Sequence, residues 1–250
     1  TLWRARNFLG TIYDYQEKYS MAYGQYSEAI RLNPSEGILY NNLGISCYLA
    51  GRYDDAITAF EKAIEHHLIT HAGYEKGNRD DFDTKYGLFP NDLFSFIQET
   101  QPKEWEYLQN IQKAKAEETL IGELCRSLDS EHEGCLSVLR HGFKCYGKTF
   151  RVAYFAPASG MNQDTMKLYN ANHLKITRQL QYSSKHSNEL DITLSLNGIP
   201  IVTVELKNEM TGQTWRNAII QYKDDRDPTD LIFQFKKRTL VHFAVDTDEV

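Results

Sequence analysis

The stretch from Glu189 to Asn208 carries the tightest constraint on what this chain can fold into. Ile192, Leu194 and Leu196 alternate with Asp191, Thr193 and Ser195 ahead of Asn197-Gly198. Val202, Val204 and Leu206 alternate with Thr203, Glu205 and Lys207 behind it. Period-two alternation on both sides of an Asn-Gly pair predicts a β-hairpin. Odd-numbered residues are polar on both strands, so odd must pair with odd. A two-residue loop alone would pair odd with even and send the carboxylates to opposite faces. The expected connection is therefore a three-residue loop, Asn197 to Ile199 with Gly198 at positive φ, or a hairpin with a bulge. Either one sets Asp191 opposite Glu205. Asp191, Glu205 and Lys207 then share a face, where two carboxylates and a lysine can hold a hard divalent cation and position a water. A Leu196–Ile199 pair without a bulge would break that face.

The chain has 250 residues, enough for one large domain or two smaller ones. An apolar fraction of 41% with 12% aromatics supports a substantial core. The net charge of −6 argues against a globally basic nucleic-acid coat and leaves room for a local basic groove. Cys47, Cys125, Cys135 and Cys145 form no Cys-x-x-Cys pair and read as reduced thiols of a cytoplasmic protein. No apolar run reaches the length of about 18 residues that a membrane span needs, so no membrane partner is expected. The chain starts at Thr1 without a signal segment and stops just after a strand-like stretch, which reads as a fragment.

Residues 3–68 repeat internally. Leu9-Gly10, Ala22, Tyr26 and Ala29 recur as Leu43-Gly44, Ala56, Phe60 and Ala63, shifted by 34 residues. That period and residue set resemble tetratricopeptide (TPR) repeats. Small residues at Gly10, Ala22, Gly44 and Ala56 let paired helices approach, and Tyr26 and Phe60 fill the gap to the next helix. The pattern departs at three places: Glu17 stands where the repeat often has glycine, Cys47 replaces the equivalent of Tyr13, and Leu68 that of Pro34. Two repeats fall short of the usual minimum of about three, so they must lean on other parts of the chain. Such hairpins offer a groove for a protein partner, or act as a spacer.

Residues 69–90 read as a linker rich in Gly, Asn and Asp. Asn91 is a plausible N-cap for a helix over Leu93 to Glu99, and Pro102 suits the first turn of another reaching about Lys113. Ala116 to Leu128 reads as a helix burying Leu120, Ile121, Leu124 and Leu128. Gly142 to Thr149 satisfies the P-loop pattern, but a P-loop needs a strand before it and a helix after it. Here the order is reversed, and the match is chance. Strands are expected over Thr149–Ala156, Leu174–Tyr182 and Thr239–Val245, with a helical turn at Asp164–Tyr169. Lys175, Arg178, Lys185 and His186 concentrate positive charge just before the hairpin. Trp215, Ala218, Ile219 and Tyr222 predict the buried stripe of a helix, with Gln221 at its edge. His242 reads as a packed strand residue.

Asp191 with Glu205-Leu206-Lys207 resembles the PD-(D/E)xK nuclease motif. The wider text resembles the N-terminal nuclease domain of the R (HsdR) subunit of type I restriction enzymes. It includes Leu139 to Phe143, Phe155 to Gly160, Thr177-Arg178-Gln179, Asn197 to Pro200, Val204 to Asn208, Ala218 to Tyr222 and Val241 to Asp246, over roughly residues 74–250. The resemblance implies an α/β fold: TPR-like helical hairpins over 1–70, a linker and helical lead-in over 71–115, and over 116–250 a restriction-endonuclease-like mixed β-sheet flanked by helices. It implies a Mg²⁺-dependent endonuclease, a type I site-specific deoxyribonuclease, acting on double-stranded DNA. Asp191, Glu205 and the Leu206 carbonyl would hold the metal; Lys207 and Gln221 would complete the catalytic set, with Glu118 as the helix glutamate that such folds bring near the metal. Arg178, Gln179 and Lys185 would contact DNA. Gln221 carries over from a Gln-x-x-x-Tyr motif whose tyrosine is Asp225 here. The partners implied are methyltransferase and specificity subunits, with ATP used only by a motor that this chain lacks. The alternative is a TPR interaction module carrying an inactive or stand-alone nuclease.

Overall fold

The computed structural model describes residues 1–159, 162–207 and 215–245. Gly160, Asn208 and Asp246 of the resembling phrases, and the side chains of Trp215, Ala218 and Asp225, lie outside the described residues. By internal packing the chain divides into two units. One is Thr1–Tyr74 with Leu206–Ile220 and Ala244–Val250; the other is Glu75–Glu205 with Gln221–Phe243.

In the first unit, α1 (Leu2–Tyr15) packs on α2 (Tyr19–Leu32), and α3 (Gly37–Leu49) on α4 (Tyr53–His71). These are the two hairpins that the 34-residue repeat predicts. A Cβ at Gly10 would stand 2.7 Å from the Tyr26 ring, and one at Gly44 2.6 Å from the Phe60 ring. The aromatic therefore lies directly on the backbone of the facing helix, which requires glycine there. The hairpins are also joined through one carboxylate. Asp14 accepts from the Tyr26 hydroxyl at 2.7 Å and from Ser46 Oγ of α3 at 2.7 Å. Burial pushes the Tyr26 hydroxyl pKa well up, so it remains a donor. Between the helices of each hairpin the chain turns left-handed, at Glu17 (φ 59°) and at Gly51 (φ 72°), the same position of the two repeats.

The second unit opens with β1 (Glu75–Lys76), a 3₁₀ turn (Arg79–Asp81) and α5 (Pro90–Thr100). Next come α6 (Pro102–Gln112), α7 (Ala116–Leu128), α8 (Gly134–His141), β2 (Phe143–Cys145) and β3 (Lys148–Phe150). Helix α9 (Gln163–Asn170) precedes β4 (Leu174–Gln181), β5 (Glu189–Leu196) and β6 (Ile199–Leu206). The chain continues through α10 (Trp215–Ile220), a π-helical segment (Gln221–Asp225) and β7 (Val241–Val245). The sheet order is β1-β4-β5-β6-β7, with β1 parallel to β4 and the pairs β4–β5 and β5–β6 antiparallel. The architecture is α/β: helices first, then a mixed five-stranded sheet flanked by helices.

The stretch read as a linker is built into the second unit. Glu75 and Lys76 extend the sheet edge beside Lys175 and Ile176. Leu88, Leu93, Phe96 and Trp105 share one core cluster with Leu120, Val138 and Phe150. Thus the helices expected as a lead-in at 90–112 belong to the core itself. Helix α5 starts at Pro90, whose fixed φ suits the first turn, and not after a cap at Asn91. The P-loop look-alike is the β2–β3 hairpin, turning at Tyr146 and Gly147 with positive φ at both. Strand β3 is shorter than expected and ends at Phe150. All four cysteines are free, and burial pushes the Cys135 thiol up to about 12, which makes it unreactive. Among the described residues no helix is long and apolar enough to cross a membrane.

Candidate active site

The site starts from a turn that is buried. Asn197 and Gly198 form a two-residue loop with φ of 49° and 85°, and Leu196 pairs with Ile199. Ser195 pairs with Pro200, and then the register shifts. Leu194 pairs with Val202, Thr193 with Thr203 and Ile192 with Val204, which leaves Ile201 as the extra residue. The hairpin thus combines the short loop with a bulge. The bulge restores odd-to-odd pairing, at Thr193 with Thr203. The three-residue loop was not needed, because tertiary contacts hold the tight turn. Asn197 Oδ1 accepts from the His173 amide at 2.7 Å, and Nδ2 donates to the Val152 carbonyl and to Asn172 Oδ1, both at 2.9 Å. Gly198 O accepts from the Phe89 amide at 2.8 Å. A Cβ on Gly198 would stand 2.4 Å from the Phe89 carbonyl, so only glycine fits.

The polar face of the hairpin is buried, not solvated. Thr177, Thr193, Ser195, Thr203 and Glu205 are all buried, as are Ile176, Leu180, Leu190 and Ile192 of the opposite parity. At these positions the central strands β4, β5 and β6 are covered on both faces. Polar side chains in such a place must find partners. Glu205, 2% exposed, forms an ion pair with Arg226. The Arg226 guanidinium also donates to the Tyr182 hydroxyl and to the Glu189 carbonyl, each at 2.9 Å. Burial works against its charge, but the Glu205 carboxylate and the Tyr182 hydroxyl outweigh burial and hold its pKa above the ordinary value. The π-helical segment places this arginine: its amide bonds to the Gln221 carbonyl at 3.0 Å, the i+5 contact that defines the widened turn.

Beside the pair, Thr203 Oγ1 lies 2.6 Å from His242 Nδ1 and 3.1 Å from the Tyr222 hydroxyl. Burial pushes the Tyr222 pKa well up, and the negative charges of Glu205 and Asp191 add to it. Tyr222 therefore feels both carboxylates at once. The His242 ring packs between Tyr222 and Phe233, and loss of solvent lowers its pKa. By surface area His242 is an exposed residue of β7, which departs from the packed strand residue expected, although its ring lies against Tyr222 and Phe233.

The remaining candidates are placed as follows. Asp191 is half-buried on β5. Leu206 and Lys207 follow Glu205 in the chain, and the Lys207 amide donates to the Val245 carbonyl at 2.7 Å. Gln221 is half-buried at the head of the π-helical segment. Glu118 is exposed on the first turn of α7, where its charge is felt at Lys85. Among the described residues no three His, Cys, Asp or Glu side chains converge, so Glu118 does not join the two strand carboxylates. Arg178 is half-buried on β4 opposite Ile192. Gln179 has φ of 49°, a left-handed kink within that strand, and its carbonyl accepts from Arg79 at 3.4 Å. Lys185 reaches Asp227 at 3.1 Å, Asp230 at 3.3 Å and Thr229 at 2.8 Å. A phosphate would have to compete with those carboxylates for it. Arg226, Tyr182 and Thr203 were not legible as site residues. Nothing near position 226 marks an arginine aimed at a carboxylate 21 residues earlier in the chain.

The fold defines a class: an α/β protein in which TPR-like hairpins precede a mixed sheet whose bulged hairpin carries carboxylates on neighbouring strands. The chain belongs to the family described as Type I restriction enzyme R protein N terminus, whose profile matches residues 58–250. A tetratricopeptide repeat profile matches residues 38–67, covering most of α3 and α4. No curated protein and no solved structure matches the chain.

Proposed function

We propose that the second unit, with Lys207, is a Mg²⁺-dependent endonuclease that hydrolyses phosphodiester bonds of double-stranded DNA as part of a type I restriction complex. The observation that carries this reading is the bulge that returns β5 and β6 to odd-to-odd pairing, the parity that would set Asp191 opposite Glu205, in a chain of the R-protein family. The donor set fits a hard cation, because Asp191, Glu205 and the Leu206 carbonyl offer only oxygen. When bound there, Mg²⁺ supplies Lewis-acid polarisation of the scissile phosphate and a water of lowered pKa. Lys207 would orient or deprotonate that water and hold the charge that develops on the phosphate. Gln221 would help to orient the same water. Arg178 is the candidate phosphate contact of β4. Recognition of the target sequence and ATP-driven translocation would fall to other subunits and domains.

Asp191→Asn tests the reading. Asp191 is half-buried, so its loss disturbs the fold less than loss of the buried Glu205. Metal-dependent cleavage of plasmid by the intact complex should fall by roughly a hundredfold or more. Undiminished cleavage by Asp191→Asn would remove the site.

A further inference from the structure

We infer that Arg226 is a built-in counter-ion which holds Glu205 in place of the metal and must yield when a divalent cation binds. The inference rests on the metal-site reading above.

A carboxylate as deeply buried as Glu205 is strongly unfavourable without a cationic partner. The fold supplies one, and the guanidinium is as thoroughly buried as the carboxylate, with side-chain exposures of 3% and 2%. Its other anchors are the Tyr182 hydroxyl, the Glu189 carbonyl and the widened helical turn at Gln221. Those anchors satisfy only part of the group, since Arg226 Nε has no partner among the described residues. This under-satisfaction sits beside the charge that a metal would compete for. A divalent cation and a guanidinium at one carboxylate repel each other through low-dielectric surroundings. Metal binding is therefore coupled to release or retreat of Arg226. By linkage the coupling is reciprocal: whatever loosens Arg226 tightens metal. Arg226 is a positioning residue acting through Glu205. It keeps the strand pair assembled without metal and sets the threshold of metal concentration at which the site loads.

The experiment is calorimetric titration of Mn²⁺ and Mg²⁺ into the protein without DNA, so that no cleavage is read. Arg226→Met should bind at least about tenfold more tightly than the parent, within the usual range of coupling between two sites. Arg226→Lys keeps the charge and should stay near the parent value. Arg226→Met also removes this ion pair from the buried Glu205, so a milder variant guards against loss of the fold. Tyr182→Phe keeps the ring and removes one anchor of the guanidinium; it should tighten binding by a smaller factor. Asp191→Asn is the control for the site and should lower affinity in every background. Equal or weaker binding by both Arg226→Met and Tyr182→Phe, with binding still dependent on Asp191, overturns the counter-ion role and leaves the metal site standing. No Asp191-dependent binding in any variant removes the metal-site reading and this inference with it.

Discussion

Replacing Asn197 should unfold the hairpin that carries both carboxylates, and the loss can be worked out group by group. Asn197→Ala removes the acceptor of the His173 amide and a donor to the Val152 carbonyl. Asn172 Oδ1 loses a donor as well but keeps the Tyr154 amide at 3.1 Å. Two buried backbone groups are left unsatisfied, at about 1–3 kcal/mol each. Alanine at a φ of 49° adds about 1 kcal/mol of left-handed strain. The sum is roughly 3–7 kcal/mol, a large part of a typical stability of about 5–15 kcal/mol. Asn197→Gly loses the same hydrogen bonds but not the backbone freedom. It should be less destabilised than the alanine variant by about 1 kcal/mol, minus the extra entropy of glycine in the unfolded chain. Urea unfolding, followed by circular dichroism and by fluorescence of the buried Trp105, which shares the core cluster with Ile199, gives both numbers. A loss below about 1 kcal/mol for alanine would refute the account of the turn. Identical alanine and glycine variants would refute its backbone half.

In the helical unit, Glu17→Gly should raise stability by about 0.5–1 kcal/mol, because glycine relieves the left-handed backbone that its counterpart Gly51 already relieves. Gly51→Ala should cost about 1 kcal/mol from backbone strain alone, since nothing lies within 4 Å of an added Cβ; thermal unfolding of the two variants checks the opposite signs. His242 has a folded pKa below the ordinary value of 6.5, so the native state resists its protonation. Its contribution to stability is fully present above that value and is lost as pH falls through the folded pKa. His242→Gln should flatten the acid limb of the stability profile below about pH 6.5, and an unchanged limb would show that His242 does not set it.

The sequence by itself determined the elements and the pairing parity. The 34-residue spacing of Gly10 with Gly44 and of Tyr26 with Phe60 fixes two helical hairpins, because a ring against a backbone leaves room only for glycine. Strict alternation on both sides of Asn197-Gly198 required odd-to-odd pairing, and a bulge delivers it. Helix α7 follows its apolar spacing from Ala116 to Leu128. What the tertiary structure decided is which groups satisfy one another at long range. The polar strand face is buried, so Glu205 needs a cation, and Arg226 reaches it only because a widened helical turn re-aims that residue. The turn at Asn197 is tight because His173, Asn172 and Val152 complete its hydrogen bonds. The Gly-rich stretch at 73–77 became a sheet edge because β4 offered unpaired backbone groups beside it. Local patterning records which residues avoid water; it does not record which distant residue a buried charge will meet.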